Sequence, residues 1–511
     1  MTKTEADIQP TVATADQVEA LDRVETGIKP ISQADAAYIP VGGLVMTEEE
    51  LKIDRRVNRK FDWCILPLLF IVFLFDGMDR SNIGNAATVD FLQTAKLSKN
   101  AVNNAASLFF ITFIPLQPVS GGLGKYFGVA RWLAGCMFFW GAMTLSNGFI
   151  SGDASLYAVR LLVGVFESGF YPLCTFYIST LYPRFYLGRK LSLFYGSFTF
   201  AGCFSGLISY GILQWKGKSL YSWQYLFIVE GSLTMFFAVI NFFMLPAEGC
   251  TAWFLTDEEK EWARERMQRD NADGNAARRG ISKRDIIEVC KDFKMWTVVP
   301  GNISASVVYQ AFNVFLPLIV QNLGYKSYRA NLFAVPIYFI GTVGLVALAF
   351  SSDYFKDRTY HLLLAVGIVI IGSILVVTIE SNVGRYVGLC IMNIGTYSQT
   401  PLISASLMNN TPSPGKRVLV MGVQGYGNLG GVIAGQLFLS KYAPKYRFPF
   451  YVSLGLLAFG WFCYLAYRMS LVYQNKRRAK IIANWTPEQI AEENANDIRR
   501  GDMKYTFVYT Y

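Results

Sequence analysis

Charge is scarce in this sequence. Of 511 residues, 16% are Asp, Glu, Lys or Arg, against about 25% in an ordinary soluble domain. A soluble enzyme of this length needs more polar surface than that, so the soluble-enzyme class is a poor fit, as are disordered and fibrous chains. Histidine is nearly absent, and the lone His361 reads as an interfacial residue. No nucleophile–base pair or metal cluster stands out, so an enzyme is not expected and no metal or cofactor is. The eight cysteines are scattered through apolar stretches without a C-x-x-C pair, which argues against a disulfide framework and a zinc site. The first 60 residues lack an apolar run, so a signal peptide is not expected.

What is abundant is apolar. Hydrophobic residues make up 52% and aromatics 15%. A membrane-spanning helix takes about 20 apolar residues, so twelve use roughly 240. The expected spans lie at 61–85, 101–121, 132–150, 154–180, 191–213 and 223–245, then 297–321, 330–350, 360–379, 385–408, 417–440 and 448–470. The expected fold is therefore an all-α membrane protein, twelve transmembrane helices in two pseudo-symmetric six-helix bundles. Its parts are a polar N-terminal tail (1–60), an N-terminal bundle (61–245), a central loop (246–296), a C-terminal bundle (297–470) and a C-terminal tail (471–511).

The net charge of +10 belongs to this topology. Lys52, Arg55, Arg56, Arg59 and Lys60 precede the first span, and Lys476, Arg477, Arg478 and Lys480 follow the last. Positive charge next to spans stays in the cytoplasm, so both termini are expected there and nucleic acid is not an expected partner. Lys216 and Lys218, in an expected outer loop, weaken the bias. The central loop holds ten Lys/Arg and eleven Asp/Glu. Within it, Thr256 and Glu259 have the spacing of a capping box. The sequons at Asn302, Asn409 and Asn484 fall at or beyond the cytoplasmic face, and glycosylation is not expected.

Charge inside a spanning helix costs several kcal/mol unless it is paired or wet, so the charges that do occur there are informative. The first span carries Asp76, Asp79 and Arg80, the fourth Arg160 and Glu167, and the sixth Glu230. Arg160 and Glu167 are two turns apart, which puts both on one helix face. Bundle-holding salt bridges are one reading. The other is that Arg fixes an anion by forked hydrogen bonds while the acids carry protons.

Three segments, Asp79-Arg80-Ser81-Asn82-Ile83-Gly84-Asn85-Ala86, Arg160…Gly164…Glu167…Pro172 and Trp223-Gln224-Tyr225-Leu226-Phe227-Ile228-Val229-Glu230-Gly231, resemble the major facilitator superfamily and, within it, the anion:cation symporter family. Over about 60–470 the chain is similar to fungal permeases of the allantoate, nicotinate and vitamin type. The resemblance implies that Arg80 holds a substrate carboxylate, that Asp79 and Glu167 take up protons, and that Arg160 is a salt-bridge or relay partner. Gly427-Asn428-Leu429-Gly430-Gly431 resembles the family's Asn-bearing segment, which implies Asn428 as a substrate-facing donor. Asn82, Arg160 and Asn313 complete the expected substrate contacts. Asp76, Glu230, Asp353 and Arg358 are the expected gating or salt-bridge residues.

The chain departs from the superfamily pattern in the loop 121–132, which lacks its usual Asp, whereas Asp353 and Arg358 remain in the second half. Glycines in the fifth span and at 427, 431 and 435 suit helices that approach closely and rock between two states. Tyr309, Gln310, Asn393, Tyr397 and Gln399 are further candidates to line a cavity. The expectation is a proton-driven symporter, a functional monomer in a fungal plasma membrane, importing a small organic anion. A non-transporting nutrient receptor and a proton-antiport exporter are the alternatives.

Overall fold

The computed structural model describes residues 39–41, 44–215, 219–270, 282–325, 327–495 and 499–511; Lys216 and Lys218 lie outside them. In a bilayer every backbone N–H and C=O must be satisfied within the protein, which favours helices. In the first half the spans are Leu66–Ala86, Ala101–Phe127, Val129–Ser146, Asp153–Glu167 with Phe170–Leu181, Arg184–Ile212 and Ser222–Met244. In the second they are Phe293–Asn322, Arg329–Tyr354, Arg358–Thr378, Asn382–Thr396 with Gln399–Asn409, Pro414–Leu437 through a 3₁₀ turn at Gly425–Asn428, and Arg447–Ile482. All twelve expected spans fall on these helices. Among the described residues, nine helices are long and apolar enough to cross a membrane; the third, fifth and tenth places are filled by the others. Large apolar side chains such as Phe243, Phe350 and Phe462 point outward, as a lipid-facing surface requires.

Helix ends differ from the expected boundaries where the sequence supplies its own signals. Thr47 and Glu50 cap each other's backbone N–H and start a helix at Glu48, so residues 48–60 are helical and run into the first span. The helix of the twelfth span continues to Ile482. A two-stranded hairpin, Ile39–Val41 with Leu44–Met46, is the strand pair among the described residues.

The central connection and the C-terminal tail are each fastened to one half. Thr256 and Glu259 form the reciprocal cap expected of them and start the helix Asp257–Asp270. On that helix the fully buried Arg266 donates to Asp54 Oδ1 at 2.8 Å, Asn58 Oδ1 at 2.8 Å and the Leu181 carbonyl at 2.7 Å. On the other half, buried Asp502 in the tail receives Lys294 Nζ at 2.7 Å and Lys416 Nζ at 2.9 Å. Those lysines start the seventh and eleventh spans.

The two halves meet at the end opposite the tails. There Asn103 Nδ2 donates to the carbonyls of Gly435 and Phe438 at 2.9 and 2.8 Å. Gln321 Nε2 donates to the Thr88 carbonyl at 2.9 Å, and Asn331 Nδ2 to Thr88 Oγ1 at 3.1 Å. Gly84 lies against the Val314 carbonyl so closely that a Cβ there would stand 1.7 Å from its oxygen. Toward the tails the halves separate around a cavity.

Candidate functional site

Helix breaks shape this cavity. Pro172 and Pro401 each lack an N–H and crowd the carbonyl four residues earlier. Those carbonyls belong to Ser168 and Tyr397, where the fourth and tenth spans are interrupted. The eleventh span tightens to 3₁₀ geometry through Gly425–Asn428. Interrupted spans leave irregular backbone where it faces a cavity, the usual place for it in a transporter.

The cavity has an empty volume of about 860 Å³ when the open solvent at its mouth is included. The first half contributes Phe73, Asp76, Arg80, Phe113, Gln117 and Phe198 to its wall; the second contributes Tyr309, Gln310, Tyr397, Gln424 and Asn428. Arg80 is the guanidinium in this wall. Its Nε donates to Glu167 Oε1 at 2.7 Å, and its Nη2 lies 2.6 Å from the same oxygen and 3.5 Å from Asp76 Oδ1. Its Cζ sits 4.9 Å from the Phe113 ring centroid and 5.6 Å from that of Phe198, close enough for cation–π attraction.

The opposite wall is a chain of neutral polar groups. Tyr397 donates its hydroxyl to Asn313 Oδ1 at 3.0 Å, Asn313 Nδ2 lies 3.5 Å from Gln310 Oε1, and Gln310 Nε2 donates to Asn428 Oδ1 at 2.9 Å. Asn428 and Gln310 face the cavity; Asn313 sits behind them and orients Gln310. Asn393 instead donates to the Ile337 carbonyl at 2.8 Å, an interhelical tie.

A second charged cluster lies inside the first half, off the cavity. Asp79 Oδ2 accepts from Trp140 Nε1 at 2.9 Å and Thr234 Oγ1 at 3.4 Å. Arg160 Nη2 donates to Asn82 Oδ1 at 2.8 Å, and Asn82 Nδ2 lies 3.5 Å from Asp79 Oδ1. Glu230 is fully buried beside them, within electrostatic reach of Asp79 and Arg160.

These placements correct several sequence expectations. Arg160 and Glu167 share a helix but not a site, because they point to different neighbours on the first span: Asn82 for Arg160 and Arg80 for Glu167. Asn82, Arg160 and Asn313 are expected substrate contacts that lie behind the cavity wall. Asp79 follows them, since adjacent residues on a helix point about 100° apart; Arg80 faces the cavity and Asp79 faces the bundle. Asp353 and Arg358 do pair, at 3.2 Å, but both belong to one connection of the second half, so their pair does not bridge the halves. Sequence reasoning missed Gln117, although a polar residue between Pro115 and Pro118 in a spanning helix is a signal. It also missed Trp140 and the aromatic wall, which look like ordinary apolar filler in a membrane helix.

The family model for the Major Facilitator Superfamily matches residues 69–435. The chain belongs to the major facilitator superfamily. It is an integral, multi-pass membrane transporter for a small molecule, and not an enzyme. A relative is the MFS-type transporter efuF of Hormonema carpetanum, 31% identical over 471 residues, covering 91% of this chain and 95% of that one. Another is the high-affinity nicotinic acid transporter of Saccharomyces cerevisiae, 29% identical over 460 residues, covering 90% of this chain and 85% of that one. Among solved structures, the bacterial homolog of the human lysosomal transporter Spinster, inward-facing and occupied, superimposes with a TM-score of 0.61 at 14% identity, covering 84% of this chain and 99% of that one. The proton:xylose symporter XylE bound to 6-bromo-6-deoxy-D-glucose gives 0.61 at 15%, covering 80% and 95%. At these identities the two structures share the fold with this chain.

Proposed function

We propose that this transporter is a proton-driven symporter that imports a small organic carboxylate by alternating access. The observation that carries the reading is Arg80, a guanidinium in the cavity wall whose fork is held by Glu167. A substrate carboxylate and the Glu167 carboxylate compete for the same donors. Protonating Glu167 weakens its hold and frees Arg80 for the substrate, so proton and anion enter together. The neutral Gln310–Asn428 wall supplies hydrogen bonds to the rest of the molecule, and the phenylalanine and tyrosine rings supply an apolar, ring-accepting surface. Asp79 holds the second charged cluster and takes its proton at another stage of the cycle. The seal opposite the tails and the cavity on their side fit the state that faces the cytoplasm at a plasma membrane.

The S. cerevisiae relative makes nicotinic acid the first substrate to try. The test is uptake of labelled nicotinate and a panel of other carboxylates into proteoliposomes carrying the full chain, with an imposed proton gradient. Accumulation that needs both the gradient and a substrate carboxylate supports the reading. Uptake of neutral amide analogues with equal efficiency, or export against the gradient, rejects it.

A further inference from the structure

Among the described residues, the spans of the first half bury a group of four carboxyls, Asp76, Asp79, Glu167 and Glu230, with two guanidiniums, Arg80 and Arg160. All six are nine-tenths or more buried. Guanidinium stays charged in proteins. An ionised carboxylate buried without donors is strongly unfavourable, so the hydrogen-bond donors mark where negative charge can reside.

They divide the four acids cleanly. Glu167 Oε1 accepts from Arg80 Nε and pairs with Arg80 Nη2 at 2.6 Å. Asp79 takes the indole of Trp140, the hydroxyl of Thr234 and the amide of Asn82. Asp76 and Glu230 accept no well-aligned hydrogen bond on either oxygen: Arg80 Nη2 approaches Asp76 Oδ1 only to 3.5 Å, and the polar side chain beside Glu230 is the neutral amide of Asn82. Two charged acids balance two arginines; the other two carboxyls would be in excess.

We propose that Asp76 and Glu230 are the two proton-bearing carboxyls of this conformation, one in each charged cluster. The groups facing Asp76 are Asp79 and Arg80 on its own helix, Glu167 and Cys174 on the fourth span and Tyr309 on the seventh. A proton on Asp76 has a ready acceptor in Glu167 Oε2, which accepts no other hydrogen bond. The groups facing Glu230 are Asp79 and Asn82 on the first span and Arg160 on the fourth. With Glu230 neutral, Arg160 and Asp79 balance through Asn82.

This inference deepens the symport reading and rests on it for its place in the cycle. Before substrate enters, the cavity cluster is neutral: Asp76 protonated, Glu167 charged, Arg80 charged. When the substrate anion replaces Glu167 on Arg80, one further proton bonding to Glu167 keeps the cluster neutral. At the cavity cluster, one carboxylate is therefore matched by one proton.

Infrared spectroscopy of the full chain in liposomes, without substrate or gradient, tests this apart from transport. At about pH 7, where ordinary carboxyls are ionised, the parent protein is expected to show the C=O stretch of protonated carboxyls. Asp76→Asn and Glu230→Gln each remove a separate component, and the double variant removes both. An amide replaces a neutral carboxyl closely, so the melting temperature stays near that of the parent. Parent protein labelled with ¹³C at glutamate carboxyls checks the result without substitution: one component shifts, that of Glu230, and one does not. A parent spectrum without the band, a double variant that keeps it, or labelling that shifts both components or neither overturns the proposal.

Discussion

Arg80 grips a single oxygen of Glu167 with both Nε, which donates to it at 2.7 Å, and Nη2, which pairs with it at 2.6 Å. A planar fork aimed at one carboxylate from a cavity wall is the geometry that a second carboxylate can take over. In the proposed cycle, the residue that holds the fork also regulates access to it.

The fork matters as well as the charge. Arg80→Lys keeps the charge but loses the paired donors and the flat contact with Phe113 and Phe198. Uptake should fall at least ~10-fold, since a hydrogen bond to a charged group is worth about 1.5–3 kcal/mol. Arg80→Ala should abolish it. Initial uptake rates at matched protein levels check both.

Gly84 is the tightest point of the seal opposite the tails. Gly84→Ala places a methyl where the Val314 carbonyl stands, so the state with that end closed becomes unfavourable and uptake should fall at least ~5-fold, by the overpacking cost of about 1–3 kcal/mol. Gly135→Ala is the control, because a Cβ there meets nothing within 4 Å; its uptake should match the parent.

Asn428→Ala removes the acceptor of Gln310 and a donor from the cavity wall. The loss of about one neutral hydrogen bond, ~1 kcal/mol, corresponds to roughly a fivefold rise in KM. The turnover rate should change little, because the proton-bearing groups are on the facing wall. Concentration-dependent uptake separates the two constants.

The tail contact should show in stability. Burial opposes the charge on Asp502, but Lys294 and Lys416 outweigh it and hold its carboxyl below the usual range. A lowered carboxyl contributes stability above its unfolded value, about 3.9, and loses it as the pH falls through the lower folded value. The contact should thus hold unchanged from neutral pH down to about pH 4. Asp502→Ala leaves Lys294 and Lys416 sharing buried Asp292, whose Oδ2 lies 3.4 and 2.7 Å from them, and should cost about 3–5 kcal/mol. Melting temperatures of parent and variant across that range test it.

The twelve spans were legible because each is an apolar run long enough to register in composition. The charged residues of the first half were legible for the same reason in reverse: charge in such a run is conspicuous. Their partners were not. Whether Asp79 or Arg80 faces the cavity depends on the rotation of the first span, which is set by packing against the fifth and seventh at Gly77 and Gly84. The role of the tail was hidden too, since Asp502 gains its partners from residues 208 and 86 positions away, and a polar tail carries no periodic signal. The helix breaks at Ser168 and Tyr397 could have been read from Pro172 and Pro401.

Glu167→Gln tests the central claim most directly. A glutamine keeps the shape but cannot alternate between charged and neutral. In proteoliposomes loaded with a transported carboxylate, exchange of labelled for unlabelled substrate should persist, while an imposed proton gradient should no longer drive accumulation. Gradient-driven accumulation by Glu167→Gln equal to that of the parent would contradict the competition between Glu167 and substrate for Arg80.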